Sequence, residues 1–192
     1  MKKALKIVGI SLALVVVLSM AGFFIWAMNP SKARGVALSA LQSDEMVRVT
    51  ETQDYILFEP VAEKATVGFI FYPGGHSLGG VASAWFAAKH PEIRAVVFWA
   101  SYPADDTLLS RDIKMLSIYG TEDGGLDEGR KIELYKKFQP KDTVFYEIKG
   151  ANHGQFADYG PQPGDKPATI SQAEQFDITA RLTADFLGQW KE

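Results

Sequence analysis

An α/β layered fold with a mostly parallel sheet is predicted from three features of the chain. After Thr66, short apolar runs of strand type alternate with helix-prone stretches. A serine flanked by glycines stands at one strand-to-helix junction, and a charge-free apolar segment lies ahead of the whole pattern. Alternation of this kind suits parallel strands, because a parallel neighbour is reached only through a crossover of a dozen or more residues, usually a helix.

The apolar segment comes first in order. Lys2, Lys3 and Lys6 precede Ile7–Met28, which runs for 22 residues without a charge, whereas a membrane-spanning helix needs about 20. A retained anchor fits the continuation of the run through Phe23, Phe24, Ile25 and Trp26, the last suited to an interfacial position. The alternative is a cleaved signal peptide with Ile7–Leu18 as its apolar region and Ser19-Met20-Ala21 as the small-residue cleavage site. Three lysines before the span, against Lys32 and Arg34 soon after it, put the N-terminus in the cytoplasm and the domain outside. The expected product is a single-pass protein of the cell membrane with an extracytoplasmic domain, or a secreted one after cleavage. The chain then divides into an anchor or signal segment at 1–28, a connector at 29–45 and one domain at 46–192.

Composition narrows the function classes. Beyond Met28 there are 17 Lys and Arg against 23 Asp and Glu, a net charge of −6. An acidic domain with no basic stripe argues against nucleic acid as a partner. The absence of cysteine removes disulfides and a thiol nucleophile, and the three scattered histidines, His76, His90 and His153, have no metal-ligand spacing. Neither metal nor other cofactor is expected. Oligomeric state is left open.

Within the domain, Met46–Thr50 and Tyr55–Phe58 flank the polar Glu51–Asp54 and predict a hairpin. Thr66–Tyr72 is nearly continuous in apolar residues, as befits a strand covered on both faces. Val81–Lys89 predicts a helix that His90-Pro91 closes, with Trp85 and Phe86 read as core. Arg94–Trp99 and Ile113–Tyr119 are further buried strands, Leu126–Phe138 an amphipathic helix stopped by Pro140, and Thr143–Ile148 the last strand. Ser171-Gln172-Ala173-Glu174 is a capping box that opens a helix running to about Trp190. Its inward face is expected at Phe176, Ala180, Thr183, Phe186, Leu187 and Trp190.

Chemistry enters at Gly75-His76-Ser77-Leu78-Gly79. Glycines on both sides of Ser77 tolerate the sharp turn that presents a hydroxyl at a strand-to-helix hinge. A serine hydroxyl is a weak nucleophile unless a base takes its proton, and the base needs an acid to hold its tautomer. His153, just past the last strand, and Asp123, just past Ile113–Tyr119, are the residues of the required types at strand ends, where open α/β sheets place their sites. Glu122 is an alternative acid. The bland readings are a turn aspartate beside Gly124 and a loop histidine bonded to backbone. His76 is read as a packing residue and His90 as a helix-end residue. Trp99-Ala100-Ser101-Tyr102 stands at the same edge, where Tyr102 could line an acyl pocket; Gln155, Phe156, Asp158 and Tyr159 could support the His153 loop.

These motifs resemble the α/β-hydrolase superfamily, and more narrowly its dienelactone-hydrolase-like bacterial members that are membrane-anchored or exported. The likeness is carried by Phe71-Tyr72-Pro73-Gly74-Gly75, the Ser77 pentapeptide with Gly80, Trp99-Ala100-Ser101-Tyr102-Pro103, and Ile118-Tyr119-Gly120-Thr121-Glu122-Asp123-Gly124. Asn152-His153-Gly154-Gln155-Phe156 and the following Asp158-Tyr159-Gly160-Pro161-Gln162-Pro163-Gly164-Asp165 complete it. The resemblance implies a sheet of the α/β-hydrolase type and a serine hydrolase that cleaves a small ester or related acyl substrate. Ser77 would be nucleophile, Asp123 acid and His153 base, in the chain order typical of the superfamily. Oxyanion donors would come from Leu78 and from the Gly74 region.

The chain departs from that pattern at Tyr72–Ser77. In such hydrolases a Pro-Gly-Gly loop and the serine elbow follow different strands, whereas here one runs directly into the other. Two βαβ steps of roughly 30 residues each, about 60 in all, are absent. Thr66–Tyr72 must then serve as one of those strands and not both, and Gly74, now part of the elbow, loses its place as second donor. An inactive hydrolase remnant or binding module is therefore the alternative function.

Overall fold

The computed structural model describes residues 2–28, 35–53, 56–62, 76–124, 130–158, 160–162 and 164–189. It divides into two compact units, Met1–Ala33 and Arg34–Glu192. The first holds α1 (Lys2–Ala27), within which Lys6–Ala27 is long and apolar enough to cross a membrane, consistent with either a signal sequence or a single anchor.

The second unit begins with a short α2 (Gly35–Ser39) and the hairpin of β1 (Val47–Glu51) and β2 (Ile56–Pro60), antiparallel with Val49 opposite Phe58. The Asp44 side chain initiates β1 by accepting the backbone N–H groups of Met46 and Val47. The predicted strand Thr66–Tyr72, and Tyr55 at the start of the second hairpin strand, lie outside the described residues.

From α3 (His76–Lys89) onward the expected alternation holds: β3 (Ala95–Trp99), β4 (Lys114–Gly120), α4 (Arg130–Lys136), β5 (Val144–Ile148) and α5 (Gln172–Gly188). The three strands form a parallel sheet in the order β3-β4-β5, with Val97 opposite Leu116 and Ile118 opposite Tyr146. Residues 100–113 carry the chain from β3 back to β4 without a helix, and α4 lies in the link from β4 to β5.

Alternate residues of each strand face opposite layers, so the sheet is sandwiched. On one side Ala84 and Ala87 of α3 pack on Val96, Phe98 and Met115 together with Leu108 and Ile113. On the other, Leu116, Ile118 and Ile148 meet Phe156 and Phe186 of α5, with Val97, Trp99 and Leu182 closing in. Arg111 fastens the end of α3 by donating to the Ala87 carbonyl at 2.7 Å, in the last turn where carbonyls lack intrahelical partners, and to the Ile93 carbonyl beyond the helix at 3.0 Å.

Three details differ from the sequence expectation. α3 begins at His76, not Val81, so Ser77 lies in its first helical turn. Gly79 and Gly80 did not stop the helix, and Gly80 has a packing role: a Cβ there would come within 2.7 Å of the Ser101 hydroxyl and 2.8 Å of the Tyr102 carbonyl. Trp85 is not core; it is 50% exposed and its indole N–H donates to Asp105 at 2.9 Å. On α5, Ala180 faces solvent, and the buried line is Gln175, Thr179, Thr183 and Phe186. Those polar residues are tolerated because each finds a partner. Thr179 and Thr183 donate to carbonyls one turn back, Thr183 also accepts the Trp99 indole N–H, and Gln175 binds backbone. Of the expected capping box at Ser171 the structure shows one half, the Ser171 hydroxyl accepting the Glu174 N–H. Trp190 lies outside the described residues.

Candidate active site

Parallel strands send their carboxyl ends to one edge of the sheet, and the loops after β3, β4 and β5 gather there. The loops after β4 and β5 approach as backbone on backbone. A Cβ at Gly120 would lie 2.1 Å from the Ala151 carbonyl oxygen, so only glycine fits at the end of β4. Around it, the Glu122 N–H donates to Ala151 at 2.9 Å, Thr121 N–H to Ile148 at 3.1 Å, and Gly150 N–H to the Thr121 hydroxyl at 2.8 Å.

This lacing brings Asp123 and His153 together. The imidazole Nδ1 lies 2.9 Å from the Asp123 Oδ2 in a buried pair, the aspartate 2% and the histidine 8% exposed. With a carboxylate as acceptor, Nδ1 carries the proton and Nε2 is the basic nitrogen of the neutral ring. Asp123, not Glu122, holds the imidazole; the Glu122 carboxylate instead accepts the neighbouring Thr121 hydroxyl at 3.1 Å.

The His153 loop has its own frame. Gln175 of α5, fully buried, accepts the Asn152 N–H at 3.1 Å and donates to the Asn152 carbonyl at 2.9 Å. The Asn152 side chain donates to the Lys166 carbonyl and accepts the Gln155 N–H. Asp165 receives the backbone N–H groups of both His153 and Gly154. Phe156 anchors the following 3-10 turn, Gly154–Phe156, in the core beside Phe186. Phe156 thus supports the loop as expected, whereas Gln155 contributes its backbone N–H and its side-chain Oε1 is buried without a hydrogen-bond partner among the described residues; Asp158 accepts a hydrogen bond from Gln172, and Tyr159 lies outside the described residues. Sequence reasoning quoted Asn152 and Asp165 only as parts of motifs and gave neither them nor Gln175 a role, although each acts on backbone distant in the chain.

Tyr102 follows β3 beyond Ala100, whose φ of 47° is left-handed for a residue with a side chain and marks a strained turn. The Tyr102 ring is buried and stacks on Tyr135 of α4, centroids 3.7 Å apart and planes 10° from parallel. Burial first, then the neighbouring Tyr135 and the Asp123 charge, push its phenol up to about 12.

Ser77 sits one turn before Gly80, the residue that meets Ser101 and Tyr102. The side chains of His76, Ser77 and Leu78, and all of Gly74, lie outside the described residues. His90 is elsewhere, stacked on Phe86 at 3.9 Å and bonded to Glu92 at the far end of α3. Among the described residues no group of three or more His, Cys, Asp or Glu converges to hold a metal.

A model of the alpha/beta hydrolase family matches residues 43–177. The chain belongs to the alpha/beta hydrolase family. A solved structure from Klebsiella pneumoniae subsp. pneumoniae MGH 78578, assigned as a dienelactone hydrolase, matches at 17% identity over 60% of this chain with a TM-score of 0.43. This hydrolase-family chain spans about half the length of that protein. The comparison with curated proteins returned no match.

Proposed function

We propose that the chain is a serine hydrolase that cleaves an ester or related acyl compound at the outer side of a membrane, with Ser77 as nucleophile, His153 as base and Asp123 as acid. The observation that carries the reading is the buried 2.9 Å bond between His153 and Asp123, at the carboxyl edge of the strands, where open α/β sheets place their sites. Ser77 Oγ attacks the acyl carbon as its proton passes to His153 Nε2, and the carbonyl electrons move onto oxygen. Collapse of that tetrahedral species breaks the bond to the leaving alcohol, which takes the proton from His153. Water, deprotonated in turn by His153, attacks the acyl-serine; the bond to Oγ breaks, the acid leaves, and the proton passes from His153 Nε2 to Ser77 Oγ. Asp123 keeps the Nδ1 proton in place and balances the charge on the ring when Nε2 is protonated.

The start of α3 at His76 supports Leu78 as an oxyanion donor, since the first four N–H groups of a helix have no intrahelical acceptor and their dipole favours negative charge. Tyr102, stacked on Tyr135 and within reach of the Asp123 charge, forms part of the wall on that side. The apolar N-terminal helix keeps the domain at the membrane if it is retained.

The direct junction at Gly74-Gly75 favours a second reading, an inactive remnant or binding module. One missing oxyanion donor costs on the order of 3 kcal/mol, or roughly a hundredfold or more in turnover. Hydrolysis of p-nitrophenyl esters by the full-length protein and its Ser77→Ala variant separates the two. The hydrolase reading expects turnover that vanishes in the variant; a folded protein with no turnover, or turnover equal in both, rejects it.

A further inference from the structure

We propose that Asp165 is a positioning residue that sets the bond between Asp123 and His153. Its carboxylate reaches two loops at once. Oδ1 accepts the N–H of Gly124 at 3.2 Å, of His153 at 3.1 Å and of Lys166 at 3.1 Å, and Oδ2 accepts the N–H of Gly154 at 2.7 Å. Gly124 adjoins Asp123 in the chain, so one side chain holds the backbone beside the acid and the backbone of the base itself.

Space around the staple has been cleared on both loops. A Cβ at Gly124 would lie 2.0 Å from the Gly164 carbonyl oxygen, and one at Gly154 would lie 3.0 Å from the Gly160 carbonyl oxygen and 3.3 Å from Asp165 Oδ2. Gly164, at φ +84°, turns the chain so that the next residue enters between the loops. Gly164 thus lies against the Asp123 loop and Gly160 against the His153 loop, with the Asp165 carboxylate as the polar group between them. Bonds from backbone N–H to a carboxylate are about twice as strong as neutral ones and directional, so they resist relative sliding of the two loops. Gln175 differs in kind, because among the described residues its side chain bonds Asn152 and ties the His153 loop to α5.

The kinetic half of this proposal rests on the serine-hydrolase reading; the structural half does not. The test uses full-length protein in detergent micelles, comparing wild type with Asp165→Ala and Asp165→Asn. The first readout is the downfield proton resonance of the His153 Nδ1–H bonded to Asp123. The second is the split of ester turnover into kcat and KM. In Asp165→Ala the resonance is expected to shift upfield or broaden away, and kcat to fall on the order of 100-fold with KM little changed, as for a small misplacement of reacting groups. Asp165→Asn keeps the Oδ1 acceptor and loses the bond to Gly154. It is expected to keep the resonance at a shifted position, to restore most of kcat and to speed hydrogen exchange at the Gly154 amide. A folded Asp165→Ala with an unmoved resonance overturns the proposal. If that variant does not fold, an unmoved resonance together with unchanged Gly154 exchange in Asp165→Asn overturns it. A wild type without ester turnover rejects the hydrolase reading, and the resonance comparison still decides the staple.

Discussion

The two faces of the parallel sheet are held by different means. Under α3 the cluster is apolar, small alanines against Val96, Phe98 and Met115, and its polar contacts lie at the helix ends, Ser101 beside Gly80 and Arg111 on the Ala87 carbonyl. Under α5 a similar apolar cluster around Ile118 and Phe186 is joined by Gln175, Thr179 and Thr183, which bury polar groups in a helix that could have carried leucines. Apolar packing is non-directional and sets where a layer lies. Hydrogen bonds to a named backbone group are directional and set where a loop points. The α3 face therefore supplies stability, and the α5 face, through Gln175 and Asn152, supplies the placement of His153.

The largest effect should come from breaking what the α5 side serves. Asp123→Asn keeps shape but inverts the tautomer preference of His153, and ester turnover should fall on the order of 10⁴-fold while the melting transition moves little. Next is the α3 side. Phe98→Ala should cost about 3–5 kcal/mol of stability, measured by denaturant unfolding, with turnover per folded molecule nearly unchanged. A large kcat loss in that variant would erase the contrast between the faces.

Gln175→Ala sharpens the contrast. It strips partners from the buried Asn152 N–H and C=O and should cost about 1–3 kcal/mol. Unlike Phe98→Ala, it should also lower kcat in the folded fraction. The smallest effect concerns alkaline pH. The Tyr102 phenol stands at about 12 instead of the ordinary 10.0, so the folded protein holds that proton more tightly than the unfolded chain. Its stabilisation is full below pH 10 and is lost as pH climbs from 10 towards 12. Tyr102→Phe should flatten that part of the stability profile and remove a late-titrating tyrosine from the ultraviolet difference spectrum.

Local signals read well from sequence, and the strands of the parallel sheet fall within a residue of expectation because each is a short apolar run between breakers. The Ser171 cap was equally visible, since its partner Glu174 is three residues away. Asp123 and His153 were legible as types at strand ends, and the structure joins them. What the sequence concealed has long reach. Asp165 binds backbone 41 residues away at Gly124, and Gln175 binds backbone 23 residues away at Asn152. Backbone partners leave no residue-type signature, and a buried glutamine disguises the inward face of α5, which apolar periodicity had drawn through Ala180. Trp85 misled for a related reason: its apolar ring suggested core, but its indole N–H is used at the surface by Asp105.

The central claim is that Ser77 is the nucleophile activated by His153. Reaction of the folded full-length protein with a fluorophosphonate, followed by peptide mapping of the adduct, tests it most directly. The account predicts modification at Ser77 that is lost in Ser77→Ala and strongly slowed in His153→Ala. No adduct at Ser77, or equal labelling of wild type and Ser77→Ala, would contradict it.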